Sequence, residues 1–304
     1  MGYNCVVLIK QVPDTKRITG EAMNEDGTVN RGALPAIFNP EDLNALELAL
    51  QIKDRFGGKI TVITMGLPAA SEILRDSLFR GADDAILITD MRCAASDTLA
   101  TSYILSCAVK KVGEFDIVLC GRQAIDGDTA QVGPQLAEKL GVAQITYIEE
   151  LVKLDGESIT ARRNIGNGWQ QVRTKLPALL TVTSDANEAR VAAAKKMMRY
   201  KKARTPIEVE QKVKAENPEA NEVDIKALAA HKCNELEEKG LLIKQWDLDF
   251  VGADLSWCGR SGSPTKVHRI QSIVLAGKES KNVEPNKEGI SDMIHELIED
   301  RIIS

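Results

Sequence analysis

The residues Cys5-Val6-Val7-Leu8-Ile9-Lys10 open on a short, continuous apolar run rich in β-branched side chains, the pattern of a strand buried on both faces of a parallel sheet. Three similar runs follow at Ile60-Thr61-Val62-Ile63-Thr64, Ala85-Ile86-Leu87-Ile88 and Phe115-Asp116-Ile117-Val118-Leu119-Cys120. Helical patterns lie between them. Asn39-Pro40-Glu41-Asp42 reads as a helix start, with Asn as N-cap, Pro at the first helical position and two acids in the first turn, where the backbone dipoles favour negative charge. Leu43, Leu46 and Leu50 then repeat on one face, and Gly57-Gly58 ends the helix. Residues 68–80 and 97–112 repeat the pattern, punctuated by Gly81 and Gly113. This alternation predicts right-handed βαβ units, and so an α/β fold built on a doubly wound parallel sheet.

Between residues 142 and 184 the pattern turns antiparallel. Ser158 to Ile165 and Gln170 to Lys175 alternate around Gly166-Asn167-Gly168, a sequence suited to a tight turn with positive φ. Leu176 to Thr183 reads as a further buried strand. Residues 188–240 are charged and only weakly periodic, broken by Pro206 and Pro218, and read as an extended arm. An amphipathic helix near the C-terminus carries Ile290, Met293, Ile294, Leu297, Ile298 and Ile302 on one stripe. The expected division is a nucleotide-binding α/β domain over 1–188, then a docking loop, an inserted arm and the terminal helix over 189–304.

Composition excludes several classes of function. With 304 residues, 43% apolar and 27% charged, the chain buries a substantial core. Its formal charge of −5 argues against a nucleic-acid partner; only Lys195 to Arg204 is strongly basic. The six cysteines form no CxxC pair and no finger-like spacing with histidine, so no metal site is expected. Cys5 and Cys120 sit within apolar runs and read as buried, reduced thiols of a cytoplasmic protein. No apolar stretch is long enough to span a membrane, and Lys10 interrupts what a signal peptide would need.

Open parallel sheets bind ligands at the carboxyl ends of their strands, where the winding reverses. That directs attention to the loops after the first and fourth strands, Lys10-Gln11-Val12-Pro13-Asp14 and Gly121-Arg122-Gln123-Ala124-Ile125-Asp126-Gly127-Asp128-Thr129-Ala130-Gln131-Val132-Gly133-Pro134. Asp128 or Thr129 is suited to cap a helix over Ala130 to Leu140, whose free N–H groups make a phosphate cradle. Residue types alone leave this open against an ordinary capped loop.

These two stretches, together with Asn39-Pro40 and Thr64-Met65-Gly66, resemble the β subunit of electron transfer flavoprotein over residues 3 to about 205, and again at Gly259 to Pro264 and the final helix. The resemblance implies an adenine nucleotide α-hydrolase-like, Rossmann-like fold and pairing with an α subunit that carries its own FAD. Val12-Pro13-Asp14, Gly127-Asp128-Thr129-Ala130-Gln131, Phe250-Val251-Gly252-Ala253-Asp254 and Gly262-Ser263-Pro264-Thr265 look like the family's bifurcating branch. That branch implies a β-site FAD that takes hydride from NADH and divides the electron pair between a ferredoxin or flavodoxin and, through the α-subunit FAD, an acyl-CoA-type dehydrogenase. The respiratory branch holds AMP at the same site. Two features depart from the bifurcating pattern: Glu41 stands where some relatives carry Tyr, and residues 210–245 look like an insertion.

By resemblance the cofactor site comprises Leu8, Lys10, Asn39, Met65, Gly66, Asp97, Thr98, Cys120, Gly121, Arg122, Gln123, Ala124, Asp126, Gly127, Asp128, Thr129, Ala130, Gln131 and Val132. Gly66 and Gly127 permit close approach of backbone to cofactor. Arg122 either tunes the flavin or pairs with Asp126 or Asp128. The cofactor carries the redox chemistry, so no general acid or base is expected, and activity is expected only within the flavin-based complex. Residues 189–204 align with the family's docking loop, with Ala194 where many relatives present Leu. Trp246 and Trp257 read as packing residues, and His231, His268 and His295 as surface or structural. The competing class is a universal-stress-type nucleotide sensor of the same fold, which needs neither flavin nor partner subunit. Pyrophosphatases of that fold are disfavoured because the first loop lacks their Ser-Gly-Gly-rich sequence.

Overall fold

The computed structural model describes residues 2–14, 35–266 and 282–299. Its first strand, β1 (Cys5–Leu8), is buried along its whole length and lies between β4 (Ile60–Met65) and β6 (Ile117–Gly121), parallel to both. Side chains alternate across a strand, and here both faces find a core. Cys5 and Val7 pack with Leu46, Ile52 and Leu74 of α1 (Pro40–Phe56) and α2 (Ser71–Arg80). Val6 and Leu8 pack with Ile104, Leu105 and Leu136 of α3 (Thr98–Val112) and α4 (Val132–Leu140). The continuous apolar runs are thus explained by helices on both sides.

Two short strands, β2 (Gln11–Pro13) and β3 (Ala36–Phe38), pair antiparallel beside the main sheet. Lys10 to Asp14 is therefore a ribbon edge rather than an open loop. The remaining strands are β5 (Asp84–Ile88), β7 (Ala143–Asp155), β8 (Ser158–Asn164), β9 (Trp169–Lys175), β10 (Ala178–Val182) and β11 (Lys244–Trp246), giving the order β11-β5-β4-β1-β6-β10-β7-β8-β9. Pairing is parallel from β11 to β7 and antiparallel across β7, β8 and β9. The doubly wound α/β sheet with an antiparallel extension is as expected. The extension is narrower than the sequence pattern implied, because β10 returns to the main sheet and runs parallel to both its neighbours. Its five residues are all buried, which a position between two strands requires.

The segment expected as an extended arm is helical, with α5 (Ala194–Tyr200), α6 (Pro206–Glu216) and α7 (Glu222–Glu238). Its few apolar residues are enough for a local core, Val209 and Val213 against Ile225 and Ala229. Thr205 and Glu208 form a reciprocal capping box at the start of α6, and Glu208 also receives Arg75 Nη1 at 2.8 Å and Ser71 Oγ at 2.9 Å. These bonds tie the insertion to α2, and the chain then enters the sheet as β11, alongside β5. Trp246 of β11 packs into the α3-side core with its ring 5.3 Å from Phe250, whereas Trp257 is half exposed, 6.1 Å from Tyr103. The one-turn helix α8 (Gly259–Gly262) and the C-terminal α9 (Lys287–Glu299) complete the described elements. Ile290, Met293, Ile294 and Ile298 of α9 are exposed. Ile302 and His268 lie outside the described residues; His231 and His295 are on the surface. No helix among the described residues is long and apolar enough to cross a membrane.

Candidate functional site

The winding reverses between β1 and β6. From β1 the chain proceeds to β4 and β5 on one side, and from β6 the sheet continues through β10 and β7 on the other. Leu8 and Cys120 are buried in the core beneath this point, and burial raises the Cys120 thiol far above its usual range. Met65 and Gly66 lie at the end of β4, with the Gly66 N–H donated to Ile88 O at 3.0 Å.

The N-terminus of α1 forms one wall. Asn39 donates Nδ2 to Gln123 O at 2.9 Å and accepts the Ile125 N–H on Oδ1 at 3.1 Å. Its side chain makes no cap bond to α1; it braces the 121–134 loop instead. Asp42 accepts the Lys10 N–H at 2.8 Å and the Gly121 N–H at 2.9 Å, one on each carboxylate oxygen. A Cβ at Gly121 would lie 2.5 Å from Asp42 Oδ1, so this strand end accepts only glycine. Glu41 accepts the Gln123 N–H at 3.1 Å and pairs with Arg122 Nη2 at 3.0 Å. Arg122 therefore pairs with neither Asp126 nor Asp128. Asp126 accepts from Lys10 Nζ on both carboxylate oxygens at 2.8 Å, and Asp128 receives Gln123 Nε2 at 3.0 Å. Arg122 Nε is buried with no hydrogen-bond partner among the described residues, and its guanidinium lies 5.7 Å from the Tyr147 ring.

The helix after the loop begins at Val132 with Gln131 as N-cap, and no side chain caps it. Neither Asp128 nor Thr129 does so, because the backbone at Asp128 and Ala130 takes positive φ of 48° and 51° and delays the helix by two residues. With Gln131 at φ −101°, the sign of φ alternates along 128–131, as in backbone nests that hold anions. The N–H groups of Thr129, Ala130 and Gln131 donate to no group among the described residues. The first turn of α4 adds its own unpaired N–H groups, save Pro134, which has none. A Cβ at Gly127 would meet open space. Thr98 Oγ1 donates to Gln131 Oε1 at 2.9 Å, bringing the start of α3 to this loop. Asp97 caps α3 through Ala100 N and also accepts the Thr265 N–H.

Comparison with known proteins shows the family of the chain. Residues 26–214 match the electron transfer flavoprotein domain. The chain is 36% identical over 300 residues to an electron transfer flavoprotein subunit beta of Clostridium acetobutylicum, covering 99% of this chain and 100% of the relative. It belongs to the electron transfer flavoprotein family. A protein FixA of Bradyrhizobium diazoefficiens is 39% identical over 272 residues, 87% of this chain and 81% of its own. An acryloyl-CoA reductase electron transfer subunit gamma of Anaerotignum propionicum is 46% identical over 181 residues, 59% of this chain and 67% of its own. The family supports a role in electron transfer.

In this electron transfer flavoprotein chain, Lys10, Asn39, Gly121 to Gly127 and the nest at 128–131 meet at the β1/β6 end, and Asp97 and Thr98 join them through Gln131. Leu8 and Cys120 contribute floor rather than wall. The N–H groups and the Arg122 Nε that have no partner among the described residues, with the open space at Gly127, fit an anionic nucleotide. Sequence reasoning read Asp42 only as a helix-start acid, and Glu41 as that and as a departure from the Tyr of some relatives. A buried carboxylate beside a strand end becomes visible once the fold is known. It also missed Tyr147, at φ 59° beside the register shift in the β7–β10 pairing, since nothing in the sequence marks a bulge there.

Proposed function

We propose that this chain is the β subunit of a heterodimeric electron transfer flavoprotein, that it holds FAD at the β1/β6 switch point, and that it belongs to the bifurcating branch. The observation that carries this reading is the run of Thr129, Ala130 and Gln131 N–H groups with no partner among the described residues, leading into α4 beside the open flank of Gly127. Such a run binds a pyrophosphate without any side-chain charge. When bound, FAD would supply acceptance of hydride from NADH and release of electrons singly to a ferredoxin or flavodoxin and to an acyl-CoA-type dehydrogenase. The protein's own residues bind and orient. Lys10 and Asn39 hold the loop on which the nest is built. Arg122, steadied by Glu41, keeps an unpaired Nε available to an anionic ring system.

The named relatives support an α-subunit partner, and the acryloyl-CoA reductase subunit supports an acyl-CoA-type dehydrogenase. In this proposal residues 1–188 bind nucleotide and 189–304 dock partners in the cytoplasm. The segment from Arg190 presents exposed Val191, Ala194, Met197 and Met198. The test is to co-express the chain with its α subunit, denature the complex and separate the released nucleotides. Two FAD per heterodimer, with bleaching of flavin by NADH under anaerobic conditions, is the expected result. One FAD with one AMP would assign the protein to the respiratory branch, and absence of nucleotide from this subunit would overturn the reading.

A further inference from the structure

The crevice is oddly charged for a nucleotide site. Among the described residues, Glu41, Asp42, Asp126 and Asp128 stand around it against Lys10 and Arg122, which pair with Asp126 and with Glu41. Asp42 and Glu41 are equally buried, each 6% exposed; Glu41 is paired with Arg122, whereas the Asp42 carboxylate has no ion pair among the described residues and is held by two backbone N–H groups from the ends of the two strands that form the crevice. An anionic pyrophosphate arriving at the nest adds negative charge beside a buried carboxylate that has no ion pair among the described residues. Coulombic repulsion is strongest where water does not screen it. The least costly relief is a proton on the buried carboxylate.

We propose that Asp42 is a positioning residue that takes up a proton when an anionic nucleotide enters the β1/β6 crevice, so that nucleotide binding and proton binding are linked. This rests on the nucleotide-site reading above. Among the described residues, Glu41 on its own helix and Cys120 at the end of β6 are coupled electrostatically to Asp42, while Lys10 and Gly121 reach it through their backbone N–H groups; the Lys10 ammonium and the Arg122 guanidinium are turned to Asp126 and Glu41. Glu41 repels, Cys120 is a neutral thiol, and Arg122 is drawn toward Glu41. Burial, opposed by the hydrogen bonds from Gly121, Asn39 and Lys10, already pushes the Asp42 carboxyl up to about 7 in the nucleotide-free chain. A nearby pyrophosphate acts in the same direction as Glu41. The sign follows. An acid whose pKa is raised by a ligand binds more protons in the complex, so affinity falls as pH rises through the window that starts near its nucleotide-free value.

The experiment uses the heterodimer with nucleotide removed and FAD as probe, because the FAD pyrophosphate does not titrate near neutrality, whereas a phosphomonoester does. Titration calorimetry at pH 7 in buffers of different ionisation enthalpy measures protons taken up per FAD bound. We expect a substantial fraction of one proton for the wild type and close to none for Asp42→Asn, with the variant's fold checked by circular dichroism. Independently of any variant, the wild-type Kd for FAD should weaken by about three- to tenfold between pH 6.5 and 8.5. Tight binding with no proton uptake and a flat pH profile overturns the role of Asp42 and leaves the site assignment standing. Uptake that persists in a folded Asp42→Asn also overturns it. Failure of this subunit to bind FAD or AMP at any pH overturns the site assignment, and this inference with it.

Discussion

Gly121 and Gly127 lie six residues apart in the same loop, and the structure assigns them opposite fates on substitution by alanine. At Gly121 the new Cβ would sit 2.5 Å from Asp42 Oδ1, 2.8 Å from the Glu41 carbonyl carbon and 2.9 Å from the Asp42 nitrogen. Carbon contacts relax near 3.5 Å, so α1 and β6 must part by on the order of 1 Å. The contacts are to backbone and to a carboxylate already engaged with two N–H groups, so no flexible side-chain tip can yield. Overpacking costs about 1–3 kcal/mol, and weakening a charge-assisted hydrogen bond about 1.5–3 kcal/mol more. A total near 3 kcal/mol lowers the apparent Tm of the nucleotide-free heterodimer by ~6–12 °C, read by thermal denaturation. Gly127→Ala meets open space and its φ is not positive. Its Tm should stay level or rise by a degree or two, since alanine reduces the freedom of the unfolded chain. Retention of nucleotide through gel filtration should nevertheless fall. Gly121→Ala melting with the wild type, or Gly127→Ala melting as low as Gly121→Ala, would refute the account of this loop.

Other expectations follow from single contacts. Thr129→Ala should leave stability within about 0.5 kcal/mol of wild type, because Gln131 and not Thr129 is the N-cap; a loss of 1 kcal/mol or more in a denaturant titration would contradict that helix start. Arg190 holds the buried Glu47 through Nε at 2.7 Å and Nη2 at 3.0 Å, so Arg190→Ala should cost about 1–2 kcal/mol after allowance for its own exposure and speed proteolysis between 190 and 200, where an unchanged cleavage rate would count against the clamp. The backbone and Arg75 bonds lower the Glu208 carboxyl below its ordinary range against a burial effect that raises it. The support it gives is present above the usual carboxylate pKa and lost as pH falls through the lowered value, so hydrogen exchange in α6 and α7 should accelerate in acid before exchange in β1 does. Expressed without its α subunit, the chain should aggregate or run as an ill-defined oligomer, given the exposed apolar stripe of α9; a clean, cooperative monomer in analytical centrifugation would argue for the sensor reading instead.

The sheet was legible because its strands are buried on both faces, and burial of that kind leaves unbroken apolar runs. The start of α1 was legible because its signal is local, Asn39-Pro40 with two acids behind it, whereas the Asp97 cap of α3 was found only in the structure. The placement of β10 was not, since a buried strand reads the same whether its neighbours run parallel or antiparallel. The helices of the 189–240 segment were obscured for a different reason. They bury so little, chiefly Val209, Val213, Ile225 and Ala229, that the apolar stripe hardly rises above their charge. In the site, Lys10 and Asp126 sit in stretches the sequence singled out, but their pairing spans 116 positions and belongs to the tertiary fold. The delayed start of α4 depends on two non-glycine residues in the left-handed region, which residue type alone does not announce.

The position of β10 also sets a timetable for synthesis. The hairpin of β7 and β8 touches the main sheet only through β10, which comes later in the chain than either of them. Until residue 182 has left the ribosome, β6 presents an open edge and the preceding forty residues have no sheet to join. The opposite margin waits longer still, because β5 is covered only when β11 appears at residues 244–246. The nascent subunit therefore carries two unpaired strand edges for much of its elongation, the state in which chains most readily pair with the wrong neighbour. Completion from the centre outward makes the late segments the guardians of the early ones. A chain cut short after residue 240 would leave β5 bare and would also lose Ser263 and Thr265, which hold Asp97 beside the β1/β6 crevice.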